Sequence, residues 1–271
     1  MNTGIIIQAR CSSTRLKDKV VMPIPADSNI SMLGRVIMRS KKACDNVILA
    51  TSELSEDDLT AEEALKYGAK VYRGSLDDVL LRYIGAAEKY NVERIVRITA
   101  DCPCIDYNII KKCIDEHINS KADYVSNVEK RTFPHGLDTE VVTLDALKKT
   151  DREEKDIRVR EHVTWHVRKS DNFSKIDVVE DGDNNYSDIR ITVDTNEDYA
   201  LINLVYFMLG DDFTYKDIIQ LFNNNSWLKE LNKSVYQKYV FKNEKEEIDE
   251  ALKLLKLNGM SNAYRILERA K

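Results

Sequence analysis

Through most of its length the chain alternates short, continuous apolar runs with longer segments whose apolar residues recur at helical spacing. Ile5-Ile6-Ile7 is unbroken and β-branched, the pattern of a strand buried on both faces of a parallel sheet. The run stops at Gln8. Ser31 to Arg39 reads as a helix with Ser31 as N-cap and with Leu33, Val36 and Ile37 on its buried face. Val47 to Ala50 is a second strand. After Ser55, the acidic turn Glu56, Asp57 and Asp58 suits the positive end of a helix that closes near Gly68. Lys70 to Tyr72 predicts a third strand, Asp77 to Lys89 a helix, and Arg94 to Thr99 a fourth strand ending in Ala100-Asp101-Cys102-Pro103. Such alternation predicts an α/β fold built on a doubly wound, mainly parallel sheet.

Farther on the rhythm loosens. Ile109 to Ile118 is helical and Tyr124 to Ser126 is a strand. Arg131 to Val142 then interrupts, and its Phe133–Glu140 stretch, carrying Pro134 and Gly136 among polar groups, predicts a loop or hairpin leaning over a site. Arg160 to Val167 reads as a helix and Ile189 to Val193 as a late strand. Two helices follow, over Tyr199–Leu209 and Tyr215–Phe222. The last forty or so residues hold no strand pattern. There Ile248, Leu252 and Leu255 make an apolar stripe, and a second amphipathic helix follows Gly259. The expected organisation is one α/β domain over residues 1–232 and a helical extension over 233–271, packed on the sheet domain or on a partner subunit.

Charge narrows the chemistry. With 41 Lys and Arg against 46 Asp and Glu, the net charge of −5 argues against a surface that coats nucleic acid, so phosphate chemistry should be local to a site. No apolar run approaches the roughly 20 residues of a membrane span, and the N-terminus lacks the features of a signal peptide, which predicts a cytoplasmic protein. The five cysteines are odd in number. Their spacing fits neither a disulfide framework nor a zinc site, because Cys102-Pro103-Cys104 has no second ligand pair, so reduced thiols are expected.

Past Gln8 the loop interleaves Arg10, Arg15 and Lys19 with the hydroxyls of Ser12, Ser13 and Thr14. Ligands of open parallel sheets bind beyond the carboxyl ends of the strands, and guanidinium forks, an ammonium and hydroxyls suit a polyanion such as a triphosphate. An ordinary solvated basic loop is the competing reading. Neither the P-loop pattern nor the dinucleotide-binding glycine pattern is present. Asp101 and Asp194 each follow an expected strand, which would place both carboxylates on the same sheet edge as this loop. Two carboxylates beside a triphosphate are what Mg²⁺ commonly uses. His135, Asp138 and Glu140 are candidates for binding an acceptor, and their carboxylates suit hydroxyls or an amine better than a bare phosphate.

Several separated motifs resemble one family in order. They are Gln8-Ala9-Arg10, Ser13-Thr14-Arg15-Leu16 with Lys19, Arg73-Gly74-Ser75 with Asp78-Val79-Leu80 and Arg82-Tyr83, Thr99-Ala100-Asp101-Cys102-Pro103, and Val193-Asp194-Thr195-Asn196-Glu197-Asp198. They resemble the cytidylyltransferases of the spore-coat-polysaccharide type, related to CMP-KDO and CMP-sialic acid synthetases. The resemblance implies a Rossmann-like three-layer α/β/α fold of the GT-A kind, CTP as donor, Mg²⁺ as cofactor and a small-molecule acceptor, in a homodimer. It implies that Arg10, Arg15 and Lys19 serve the triphosphate, with Gln8, Ala9, Ser13 and Thr14 in the same loop. Asp101 and Asp194 become metal ligands, and Arg73 and Asp78 line the nucleotide pocket. Ser12 stands where relatives often carry Gly, and Lys17-Asp18 where they carry Pro-Gly. A sugar-phosphate nucleotidyltransferase using another base and a GT-A glycosyltransferase are the competing enzyme readings. The basic loop argues against the second, because a glycosyltransferase expels no pyrophosphate.

Overall fold

The computed structural model describes residues 1–11, 15–235 and 244–270. Within unit Met1–Ser234, seven strands form one sheet in the order β3-β2-β1-β4-β6-β5-β7. The strands are β1 (Thr3–Gln8), β2 (Val47–Ser52), β3 (Lys70–Gly74), β4 (Arg94–Thr99), β5 (Tyr124–Ser126), β6 (Glu140–Thr143) and β7 (Lys175–Asp177). Only β6 runs against the rest, paired antiparallel with β4 and β5. The carboxyl ends of the other six strands therefore share one edge.

The sheet is buried on both faces, as the isoleucine run implies. Ile5 and Ile7 face one apolar layer and Ile6 the other, and all three are fully buried. Each contributes about 1.5–3 kcal/mol of burial. On the first face lie α1 (Met32–Lys41), α4 (Tyr107–Ser120), α8 (Asn196–Leu209) and α9 (Tyr215–Asn224); on the second lie α3 (Val79–Lys89), α5 (Leu144–Glu153) and α7 (Trp165–Lys169). The fold is thus a three-layer α/β/α Rossmann-like arrangement with a mostly parallel sheet. Helices α2 (Asp58–Lys66) and α6 (Ile157–Arg160) complete this unit. Ser31 caps α1 by accepting from the Gly34 amide at 2.9 Å, an interaction worth about 1 kcal/mol. Unit Val235–Lys271 contains α10 (Glu244–Leu257) and α11 (Ser261–Ala270), which pack on each other.

Three expectations are corrected. Ile189–Val193 is not a strand of the sheet: it is an extended segment whose Arg190 makes a single parallel bridge with His135, although Ile189, Ile191 and Val193 are fully buried. The interruption over Arg131–Val142, expected to be a loop or hairpin rather than a core element, ends in the core strand β6, because Val141 and Val142 bury on opposite faces of the sheet. The helix expected over Arg160–Val167 is broken in two, with Val163 between the halves in the left-handed region at φ 50°, which β-branched residues rarely occupy.

Candidate active site

Lys19 is the centre of the sheet edge. A left-handed Asp18 (φ 53°) turns the chain after β1, and a short 3₁₀ turn over Lys19–Val21 drives the Lys19 stem inward until only 9% of the residue is exposed. Its Nζ donates to Asp101 Oδ2 at 3.2 Å, to Asp194 Oδ1 at 2.9 Å and to the Val193 carbonyl at 2.7 Å. Burial alone would lower the ammonium's pKa, but Asp101 and Asp194 outweigh it and hold the group above its ordinary value.

The two carboxylates meet because the segment before Asp194 is fastened to the loop after β4. The Val193 amide donates to the Asp101 carbonyl at 2.8 Å, and Thr192 Oγ1 donates to the same oxygen at 3.0 Å. Thr195 then caps α8 in a box with Asp198, which fixes the backbone just after Asp194. Burial raises the Asp194 carboxyl, yet Lys19, Arg15 and Arg190 bring it down to about 2. Arg15 Nη2 lies 3.0 Å from Asp194 Oδ2, and Arg190 Nη2 donates to that same oxygen at 3.0 Å.

Of the expected residues, the structure brings together Arg15, Lys19, Asp101 and Asp194. Arg10 is turned toward Glu161, at 3.2 Å, and is half exposed. Gln8 Oε1 accepts from Arg97 Nη2 at 3.4 Å, and the Ala9 amide pairs with the Ala50 carbonyl at 3.4 Å. Ser13 and Thr14 lie outside the described residues. Arg73 and Asp78 stand at the β3 end of the edge. Arg73 donates to the Ser52 and Leu54 carbonyls at 2.9 and 2.6 Å and to Asp58 at 2.5 Å. Asp78 caps α3 through the Leu81 amide at 2.9 Å and receives Arg160 Nη2 at 2.6 Å.

The acceptor candidates divide. Gly136 (φ 115°) lets the loop before β6 lie against the 189–193 segment, since a Cβ there would meet the Ile191 carbon at 2.7 Å. This places His135 Nδ1 3.2 Å from Arg190 Nη1, two bonds' reach from Asp194. Asp138 is held by Arg131 in a two-pronged pair at 2.5 and 2.8 Å, which lowers its pKa against the opposing effect of burial. Glu140 takes a different place from the one expected. It sits on β6, 3% exposed, paired with Arg97 and accepting from Tyr124 and Thr164 hydroxyls at 2.6 Å each. A carboxylate so enclosed braces the sheet against the Val163 break; it is a structural ion pair rather than a ligand-facing group.

Arg190, Arg131 and Arg82 were not anticipated from the sequence as site residues. For Arg190 the signal was its polar position within the alternation Ile189-Arg190-Ile191-Thr192-Val193. Arg82 is almost fully buried at this edge. It donates Nη1 to the Ser75 carbonyl at 2.7 Å, while Nε and Nη2 find no partner among the described residues. All five cysteines are free thiols, and burial raises the pKa of Cys102 and Cys104. Among the described residues no group of three or more His, Cys, Asp and Glu side chains is arranged to hold a metal ion. Nor is any described helix long and apolar enough to cross a membrane. The site thus offers cations for a polyanion beside two converging carboxylates.

A family model described as cytidylyltransferase matches residues 4–248. The chain is 34% identical over 239 residues to an uncharacterised protein of Methanocaldococcus jannaschii, covering 86% of this chain and 95% of that protein. It is 31% identical over 227 residues to the spore coat polysaccharide biosynthesis protein SpsF of Bacillus subtilis, covering 81% and 93%. Among solved structures, a cytidylyltransferase from Leptospira borgpetersenii serovar Hardjo-bovis superposes with a TM-score of 0.80 at 33% identity, covering 89% of this chain and all of that one. A CMP:2-keto-3-deoxy-manno-octonic acid synthetase complexed with CTP shares the fold at a TM-score of 0.57 and 12% identity, covering 77% and 99%.

Proposed function

The chain belongs to the cytidylyltransferase family, and from that premise we propose that it transfers CMP from CTP to a small-molecule acceptor with release of pyrophosphate. The observation that carries this reading is the meeting of Arg15 and Lys19 with Asp101 and Asp194 at the carboxyl edge of the sheet. A nucleophilic oxygen of the acceptor attacks the α-phosphorus, the bond to the β-phosphate oxygen breaks, and pyrophosphate leaves with that electron pair. Lys19 and Arg15 would stabilise the charge that grows on the leaving group, and their partial burial strengthens that effect over what water allows. Arg10 would join them on leaving Glu161, an exposed pair whose net worth is small.

The donor set fits Mg²⁺. Asp101 and Asp194 converge closely enough to share one ammonium, and hard carboxylate oxygens completed by substrate phosphates are that ion's usual ligands. When bound there, the ion would supply charge neutralisation at the phosphates. Asp194 is ionised throughout the neutral range, because its pKa is held near 2. His135 and Asp138 are assigned to the acceptor. The likeness to the spore coat polysaccharide protein supports a sugar, a sugar acid or a related metabolite of surface glycoconjugate synthesis as that acceptor.

The test is pyrophosphate release with Mg²⁺, the four ribonucleoside triphosphates and a panel of acceptors. Release with CTP well above the others supports the reading. Equal or faster release with another nucleotide overturns it.

A further inference from the structure

We propose that Arg82 reads the base of the nucleotide: the Nε–H and Nη2–H edge of its guanidinium donates to the adjacent O2 and N3 acceptors of cytosine, a pairing that uracil cannot make. The inference rests on the cytidylyl-transfer reading and names the side chain that selects the nucleotide.

Arg82 belongs to α3, and its stem lies along the end of β3, where a Cβ on Gly74 would meet Arg82 Cγ at 3.4 Å. Only 1% of the residue is exposed. Nη1 donates to the Ser75 carbonyl at 2.7 Å, while Nε and Nη2 are enclosed with no partner among the described residues. The carboxylates nearby are engaged elsewhere. Asp57 accepts from the Cys11 amide at 2.7 Å and from the Ser52 amide and hydroxyl. Asp78 accepts from the Leu81 amide at 2.9 Å and from Arg160 at 2.6 Å. Burial lowers the pKa of the Arg82 guanidinium, and the pull of Tyr83, Asp57 and Asp78 does not restore it. A buried cation with two unused donors is costly, and a ligand that accepts from both would offset that cost.

The position of this edge decides which part of a nucleotide it meets. Arg82 stands at the end of β3, whereas Lys19 and Asp101 meet at the end of β4, with β2 and β1 between. At about 4.8 Å per strand spacing, the two lie roughly 14 Å apart. Phosphates held at Lys19 therefore leave the base, at the other end of the nucleotide, to Arg82.

The donor pattern then selects among bases. Nε–H and Nη2–H lie side by side as parallel donors, the fork that also grips carboxylates. Cytosine presents two neighbouring acceptors, whereas uracil carries a proton on N3 and sets donor against donor. Arg73, the other arginine at the β3 end, already uses Nε, Nη1 and Nη2 on Ser52, Asp58 and Leu54. Arg10 lies close enough to Arg82 to repel it, and its move from the exposed Glu161 onto the phosphates would relieve that repulsion.

Calorimetric titration with Mg²⁺ present tests this, using the four ribonucleoside triphosphates and 3-deaza-CTP, in which a C–H replaces N3. The wild type should bind CTP about tenfold or more tighter than UTP or 3-deaza-CTP. In Arg82→Lys, which keeps the charge and loses the fork, and in Arg82→Met, CTP affinity should fall to that of UTP, with UTP changed within about twofold. The 3-deaza-CTP comparison needs only the wild type, so a variant that fails to fold does not blunt the test. Equal affinity of the wild type for CTP and 3-deaza-CTP overturns the proposal, as does a CTP preference that survives in both variants; either result leaves the cytidylyl reading standing. A wild type that prefers ATP, GTP or UTP contradicts the cytidylyl reading and overturns the base assignment with it.

Discussion

Replacing Lys19 with methionine keeps the length of the side chain and removes the one charge shared by Asp101 and Asp194. The structure sets the size of the effect. The Asp194 carboxyl is held near 2 against an ordinary 3.8, by Lys19 ahead of Arg15 and Arg190. At about 1.4 kcal/mol per pKa unit, that net displacement is roughly 2 kcal/mol, with Lys19 the foremost of the groups that lower it. Loss of the Asp101 contact adds less, because that carboxylate is 28% exposed. The net expectation is a destabilisation of about 2–3 kcal/mol at neutral pH, at the lower end of what breaking a buried pair costs. Because the folded Asp194 titrates below the unfolded group, its share is complete above about pH 4 and is lost as pH falls toward 2. Lys19 is raised above 10.5, so its share is complete below that pH and lost as pH rises through the folded value. Urea unfolding of both proteins at pH 7, 5 and 3 reads this directly. The stability gap should be the same at pH 7 and pH 5 and should shrink at pH 3. A gap under about 0.5 kcal/mol at pH 7, or one that grows on acidification, would refute the reasoning.

Asp101→Asn and Asp194→Asn should each cut turnover by orders of magnitude while circular dichroism keeps the wild-type fold, and Asp194→Asn should also lower stability to denaturant by about 2–3 kcal/mol because it breaks the same Lys19 pair; near-native turnover at saturating Mg²⁺ removes that aspartate from the site. Glu140→Gln should lower stability by about 3 kcal/mol in denaturant unfolding without a selective effect on acceptor KM, because it leaves the Arg97 charge enclosed and unpaired. Asp138→Ala should raise the acceptor's KM or lower kcat with CTP binding unchanged; an equal loss in CTP affinity places that loop on the nucleotide side.

The parallel half of the fold was legible because its signals are local. Ile5-Ile6-Ile7 and Val47–Ala50 are continuous apolar runs, and Ser31 acts as the side-chain cap that its position implies. The region after β5 was less legible, since tertiary context decides there. Val141 and Val142 make a strand only because β4 and β5 flank them. Ile189–Val193 has strand composition but pairs with a loop, so its carboxylate reaches Lys19 by a route that periodicity does not encode. No local pattern distinguishes Glu140, on a strand with a buried arginine beside it, from a loop carboxylate. Arg190 was hidden for the same reason: its partners Asp194 and Asp198 are near in sequence, but His135 is 55 residues away.

The central claim is that Lys19 and its neighbours hold the polyphosphate of CTP. Calorimetric titration of CTP and of CMP into wild type and Lys19→Met, with Mg²⁺ present, tests it most directly. CTP affinity should fall by about tenfold or more in the variant, while CMP, lacking the β- and γ-phosphates, should bind both proteins within about twofold. Equal losses for the two nucleotides, or no loss for CTP, would contradict the account.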